Sequence, residues 1–133
     1  KINKIILKNM SKILTLGFHT ANLILITFYL YPGSLLGLLL YNDSSTGPQI
    51  TSNFLISSDH FFAFIILSIA GIIAYNKSNK INVLIGYLVL LSIFLEFFHI
   101  LIPNRNFEFS DLFGNFLAVV LVIISYKIKN RYA

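Results

Sequence analysis

Polar residues in this chain fall as interruptions in long apolar runs, and the length of those runs predicts helices rather than strands. The first run covers residues 13–31 and stops at Pro32-Gly33, where proline cannot easily continue a helix. Lys1, Lys4, Lys8 and Lys12 precede it, as in a signal peptide. The run is nevertheless long enough to span a bilayer and ends in no small-x-small cleavage site, so it reads as an uncleaved first span. Lys1 is not an initiating methionine, which leaves room for residues upstream. Leu35–Tyr41 (LLGLLLY) is too short to span and is expected at the interface or against the bundle. The polar, turn-rich residues 42–53 follow. Ser57 or Ser58 then offers an N-cap to a second span over 59–75, with Asp59 in its first turn.

Residues 76–80 (NKSNK) form a short polar turn, so the second and third spans should be antiparallel neighbours. The third run, 81–102, carries Ser92, Glu96 and His99 in its second half and stops at Pro103. Ser110 is expected to cap a fourth span over 111–126. The fold class is therefore all-α: a polytopic membrane protein with four transmembrane helices, forming one domain over residues 1–133. The second and fourth runs hold only about fifteen unbroken apolar residues, against the ~20 needed to cross a ~30 Å core. Either the bilayer thins locally, or Asp59, His60 and Asp111 lie at shallow depth. Glu96 stands six residues before the expected helix end, roughly 9 Å in at ~1.5 Å per residue.

Composition supports the membrane class. The chain is 56% hydrophobic and 11% charged, with mean hydropathy +0.79, where soluble domains carry about a quarter charged residues. A soluble domain of this size could not hide that much apolar surface. No cysteine is present, which excludes disulfides, thiolate metal sites and a cysteine nucleophile. The net charge of +5 could suggest nucleic acid, but the cations are placed otherwise. The N-terminal segment, the 76–80 turn and the C-terminal segment hold nine of the ten Lys and Arg residues, and the opposite side holds only Arg105. This positive-inside pattern predicts both termini in the cytoplasm of a bacterial inner membrane. The partners it implies are membrane lipids and no nucleic acid.

Candidate chemistry concentrates between Glu96 and Asn115. Ser92, Glu96 and His99 form one polar stripe on the third span, and Asp111, Asn115 and Ala118 form another on the fourth. His60, Ala63 and Leu67 lie beside Ser68 and Gly71 on the second, where small residues permit close helix approach. These stripes can converge on one outward pocket holding Asp59, His60, Glu96, His99, Arg105, Asp111 and Asn115. Structural readings compete at most of these positions. Asp59 and Asp111 suit helix N-termini, Arg105 can pair with Glu108 or Asp111 and hold its loop, and Asn115 is a typical interhelical hydrogen-bonding residue. His19, near Thr20 and Asn22, lies away from the cluster and reads as a packing group. Glu96 is different, because an intramembrane carboxylate is expensive and argues for a functional role.

Glu-x-x-His at 96–99 matches part of the carboxylate-bridged metal motif of helical bundles, but a second copy is missing. Asp59, His60, Glu96 and His99 could form a single site. The sequence assigns no metal and no cofactor, with His60, Glu96 and His99 the nearest to a donor set. Recognition of an anionic, lipid-linked group and a His/Glu proton relay are the other options. The H-E-x-x-H and G-x-S-x-G signatures are absent, so enzymatic activity stays open and a non-enzymatic role is favoured. Residues 58–64 and 110–116 both fit S-D-x-F-x-x-F, which would suit two parallel hairpins related by a pseudo-twofold axis.

The run Glu96-x-x-His99…Pro103-x-Arg105-x-Phe107-x-x-x-Asp111-x-x-x-Asn115, with Asp59 opening the preceding helix pair, resembles the VanZ-like family of small bacterial membrane proteins. The resemblance covers about residues 57–126. It implies a helical integral membrane protein of the cell envelope, linked through the founding member to low-level teicoplanin resistance. Asp59, Glu96, Arg105, Asp111 and Asn115 stand where the family's characteristic polar residues stand. His99 replaces an expected Gln, His60 an expected Lys, Ala63 a common His and Ala118 a usual Gly. The expected function is binding of an envelope component or lipid headgroup in the outward pocket. The alternative is an accessory subunit of a larger membrane complex, with the cluster serving helix packing.

Overall fold

A computed structural model describes residues 2–47 and 56–132. Residues 48–53 of the expected polar, turn-rich stretch lie outside the described residues. The described chain is all-α, with helices α1 (Ile2–Leu30), α2 (Leu35–Tyr41), α3 (Ser58–Tyr75), α4 (Ile81–Phe98) and α5 (Phe109–Tyr132). Four of them, α1, α3, α4 and α5, are long and apolar enough to cross a membrane.

Several boundaries differ from expectation for physical reasons. α1 starts at Ile2 rather than residue 13, so its 29 residues extend about 43 Å at ~1.5 Å each. The lysine-bearing segment continues the helix instead of preceding it. α4 stops at Phe98, not 102. Beyond it the chain tightens into three-residue turns, with His99 N–H donating to Glu96 O at 3.1 Å and Leu101 N–H to Phe98 O at 2.9 Å. Pro103 disfavours α geometry at Ile102, and Asn104 adopts a left-handed φ of 60°. Glu96 therefore lies in the last turn of its helix. α5 runs past 126 to Tyr132, with Lys129 and Arg131 in the last turn, where cations suit the negative end of the helix dipole. Ser57 takes the N-cap position of α3 but makes no capping side-chain bond. Ser110 falls inside the first turn of α5 instead of capping it.

The long helices alternate in direction. Tyr29 near the end of α1, His60 at the start of α3, His99 just after α4 and Asp111 at the start of α5 all meet at one end. At the other end His19 Nε2 lies 2.9 Å from the Tyr75 hydroxyl. α3 packs against α1, α4 and α5, and α4 also packs on α1 and α5. α3 and α5 both start at the site end, where Ser57 N–H donates to Ser110 O at 3.2 Å. Gly114 permits this approach, because a Cβ there would stand 2.9 Å from the Ser57 carbonyl oxygen.

The core is a thin column of Phe18, Phe64, Leu67, Leu84, Leu88, Leu95 and Val119. Ser68, Ser92, Glu96, His99 and Asn115 are buried with it, while Leu23, Ile66 and Val83 are each at least 66% exposed. Polar groups inside and large aliphatics outside suit a lipid surround, where the exterior needs no hydrophilic coat. After Pro32 the chain folds back over the site end. Ser34 Oγ accepts from Gly37 N–H at 2.9 Å, and Ser34 N–H donates to Ser44 O at 2.7 Å, which closes the loop around α2.

Candidate functional site

The apolar helices carry few polar residues, and four helix ends bring most of them together. Glu96 is fully buried. Its Oε1 accepts from the Glu108 N–H at 2.9 Å, which ties α4 to the loop before α5. Its Oε2 lies 3.2 Å from His99 Nδ1 and 4.0 Å from His60 Nδ1. His60 Nε2 in turn lies 3.3 Å from Asp111 Oδ2. Ser57 is within hydrogen-bonding reach of the same Asp111 carboxylate. The Tyr29 ring packs against both histidine rings, stacked on His99 with centroids 5.7 Å apart and tilted against His60 with centroids 4.9 Å apart.

The stripe on α4 is borne out as a buried face: Ser92, Glu96 and His99 all point inward. On α5, Asn115 and Ala118 are buried as well. The Tyr29 hydroxyl donates to Asn115 Oδ1 at 2.7 Å, so Asn115 links α5 to α1.

Arg105 has different partners from those anticipated. Rather than pairing with Glu108 or Asp111, it donates from Nε to Tyr31 O at 3.2 Å and from Nη2 to Phe28 O at 3.0 Å. It thus closes the open carbonyl end of α1, a common role for a cation near a helix C-terminus. Partial burial pulls its guanidinium below the ordinary value, opposed by the negative field of Glu96 and Asp111. It remains a cation held over the site.

A cavity of about 960 Å³ opens beside this cluster. At its polar end stand Asp59, His60, His99, Arg105, Glu108 and Asp111. Below them the lining turns apolar along Ala21, Ile24, Leu25 and Phe28 of α1 and Ala63, Ile66 and Leu67 of α3. Ile24 and Ile66 are exposed, so this lane opens on the flank of the bundle. Gly33–Leu36 and Ser44–Ser45 form its roof. Of the seven expected site residues, five line the cavity; Glu96 and Asn115 lie behind its wall. Asp59 faces the cavity and accepts from the Ser58 hydroxyl at 3.1 Å.

Tyr29 and Ser57 are site residues that the sequence reading missed. Tyr29 stands three residues before Pro32, where a tyrosine at a span end suits the interfacial aromatic belt equally well. Ser57 was read only as a cap. His19 lies at the far end with Tyr75, outside the cluster.

The fold and buried polar cluster define a helical integral membrane protein with a pocket at one end of the bundle. No family model, curated protein or solved structure matches the chain.

Proposed function

We propose that this is a VanZ-like protein of a bacterial inner membrane whose pocket takes the headgroup of a lipid or lipid-linked envelope component. The observation that supports it is the two-ended cavity. Its upper wall offers a guanidinium, two imidazoles and carboxylates, and its lower lane is aliphatic and open to the flank. An amphiphile has that same division, with a polar group to be oriented and a chain to be kept from water. The apolar lane from Ala21 to Phe28 is roughly 10 Å long at ~1.5 Å per residue, enough for part of an acyl or prenyl chain. The grouping of nine of ten basic residues away from the site end supports an outward pocket with cytoplasmic termini.

Mass spectrometry of lipids retained in mild detergent tests the reading on wild type, Arg105→Ala and Ala63→Phe. One lipid class should be enriched in wild type and depleted in both variants. Ala63→Phe fills the lane while leaving the polar end intact, so its loss of lipid does not depend on the α1 contact of Arg105. Equal lipid content in all three would count against a headgroup site.

Two observations favour a second reading, an accessory subunit of a larger membrane complex. Arg105 is engaged with α1 carbonyls, and Tyr29 with Asn115, so part of the cluster serves helix association. A chain that stays monodisperse and lipid-bound when purified alone would speak for the pocket; one that is stable only with a partner would speak for the subunit.

A further inference from the structure

We propose that His60, Glu96 and Asp111, together with Nδ1 of His99, form a binding site for one divalent transition-metal cation behind the polar end of the pocket. One donor atom each from His60, Glu96 and Asp111 lies within 4.8 Å of the others. Two of the donor separations, His60 Nε2 to Asp111 Oδ2 at 3.3 Å and His99 Nδ1 to Glu96 Oε2 at 3.2 Å, each match the spacing of two ligands on one ion. Tetrahedral bonds of ~2.0 Å set neighbouring donors ~3.3 Å apart.

The hydrogen bonding around Glu96 carries the inference further. His99 Nε2 lies 3.1 Å from the Tyr29 carbonyl oxygen, which can only accept, so Nε2 bears the proton. In the neutral imidazole, Nδ1 then presents its lone pair to Glu96 Oε2. Two acceptors face each other in a fully buried place, and Oε2 accepts no hydrogen bond from the described residues. His60 gives an ion only one ring nitrogen, and Nε2 is the one that faces Asp111; Nδ1, 4.0 Å from Glu96 Oε2, is left outside the ligand set. A divalent cation between Glu96 Oε2 and His99 Nδ1 would satisfy both acceptors. The Tyr29 carbonyl on His99 Nε2 and the Glu108 N–H on Glu96 Oε1 are the outer contacts that orient metal ligands elsewhere.

Mixed imidazole and carboxylate donors without sulfur suit zinc, manganese or iron rather than copper(I), and the imidazoles disfavour magnesium and calcium. The expected ligand set differs from the sequence's nearest grouping by including Asp111. The assignment rests on the donor set alone and holds whether or not a lipid occupies the pocket.

The test uses full-length protein in detergent, stripped with chelator and delipidated, then loaded with Zn²⁺ and desalted. Elemental analysis should find about one ion per chain, and Co²⁺ loading should give the visible bands of low-coordinate nitrogen–oxygen ligation. His60→Ala and Asp111→Asn should each weaken Zn²⁺ binding by at least about tenfold. His19→Ala, at the other end of the bundle, should leave it unchanged. Both site variants alter partly exposed side chains, and circular dichroism confirms their helicity. A folded wild type that retains no ion, or retention equal in wild type and either folded site variant, would overturn the proposal in favour of a proton shared by Glu96 and His99. Because lipid is removed first, this result is independent of the lipid-retention experiment.

Discussion

Tyr29 is a buried residue whose hydroxyl reaches across the bundle to Asn115 Oδ1, while its ring lies against His60 and its carbonyl receives His99. Removing only the hydroxyl leaves a buried amide oxygen unsatisfied, which costs about 1–3 kcal/mol. Tyr29→Phe should therefore lower the thermal midpoint in detergent, whereas Tyr87→Phe, at an exposed ring, should change it much less. Equal midpoints for wild type and Tyr29→Phe would show that Asn115 has another partner. Glu96, His99, Asp111 and Asn115 could be read from the sequence because each is a polar side chain where lipid or close packing surrounds it, and that placement needs a reason. Tyr29 could not, because a tyrosine at the end of a span is equally at home in the interfacial aromatic belt. Arg105 was visible as a lone cation, but its acceptors are backbone carbonyls of α1, which no side-chain pattern announces.

At the scale of elements, two glycines and one loop decide whether the cluster assembles. Gly114 admits the Ser57 carbonyl at the α3–α5 contact, and that contact holds His60 near Asp111. Gly114→Ala should force the two N-termini apart at about 1–3 kcal/mol, and zinc retention should fall with it if the pair is a ligand pair. Gly37 is tighter still: a Cβ would run into the Thr46 carbonyl oxygen. Gly37→Ala should displace the fold-back that roofs the cavity, seen as faster amide exchange over residues 34–46 with exchange in α4 unchanged.

Asp43 pins the same loop through hydrogen bonds from Ser45 N–H at 2.8 Å and Ser45 Oγ at 2.7 Å, which lower its pKa below the ordinary 3.8. A depressed folded-state value means the turn is stabilised above pH 3.8 and loses that support as pH falls through the depressed value. Protection of the Ser45 amide should drop in that acid range and be flat from there to neutrality. Four spans were legible from hydrophobic runs, but their ends were not, and Leu35–Tyr41 was legible only as a segment too short to span. Backbone effects at Pro103 and Asn104 shorten α4, and lysine-bearing segments that suit a helix extend α1 and α5.

At the scale of the molecule, helix directions and charge can be set against each other. α1 and α4 run toward the site, and α3 and α5 run away from it, so α1 begins and α5 ends at the opposite end with the 76–80 turn. That end bears Lys77, Lys80, Lys127, Lys129 and Arg131, while Arg105 stands over the site. Cations are retained on the cytoplasmic side during insertion, so the pocket should open outward. The chain has no cysteine of its own, which allows single reporters at exposed positions. Asn106→Cys marks the site end and Asn79→Cys the opposite turn, and both residues are exposed. In intact cells a membrane-impermeant maleimide should label Asn106→Cys, and should reach Asn79→Cys only after permeabilisation. The opposite pattern would turn the pocket toward the cytoplasm. An envelope ligand would then be excluded, whereas the metal donors, which depend only on internal geometry, would keep their assignment.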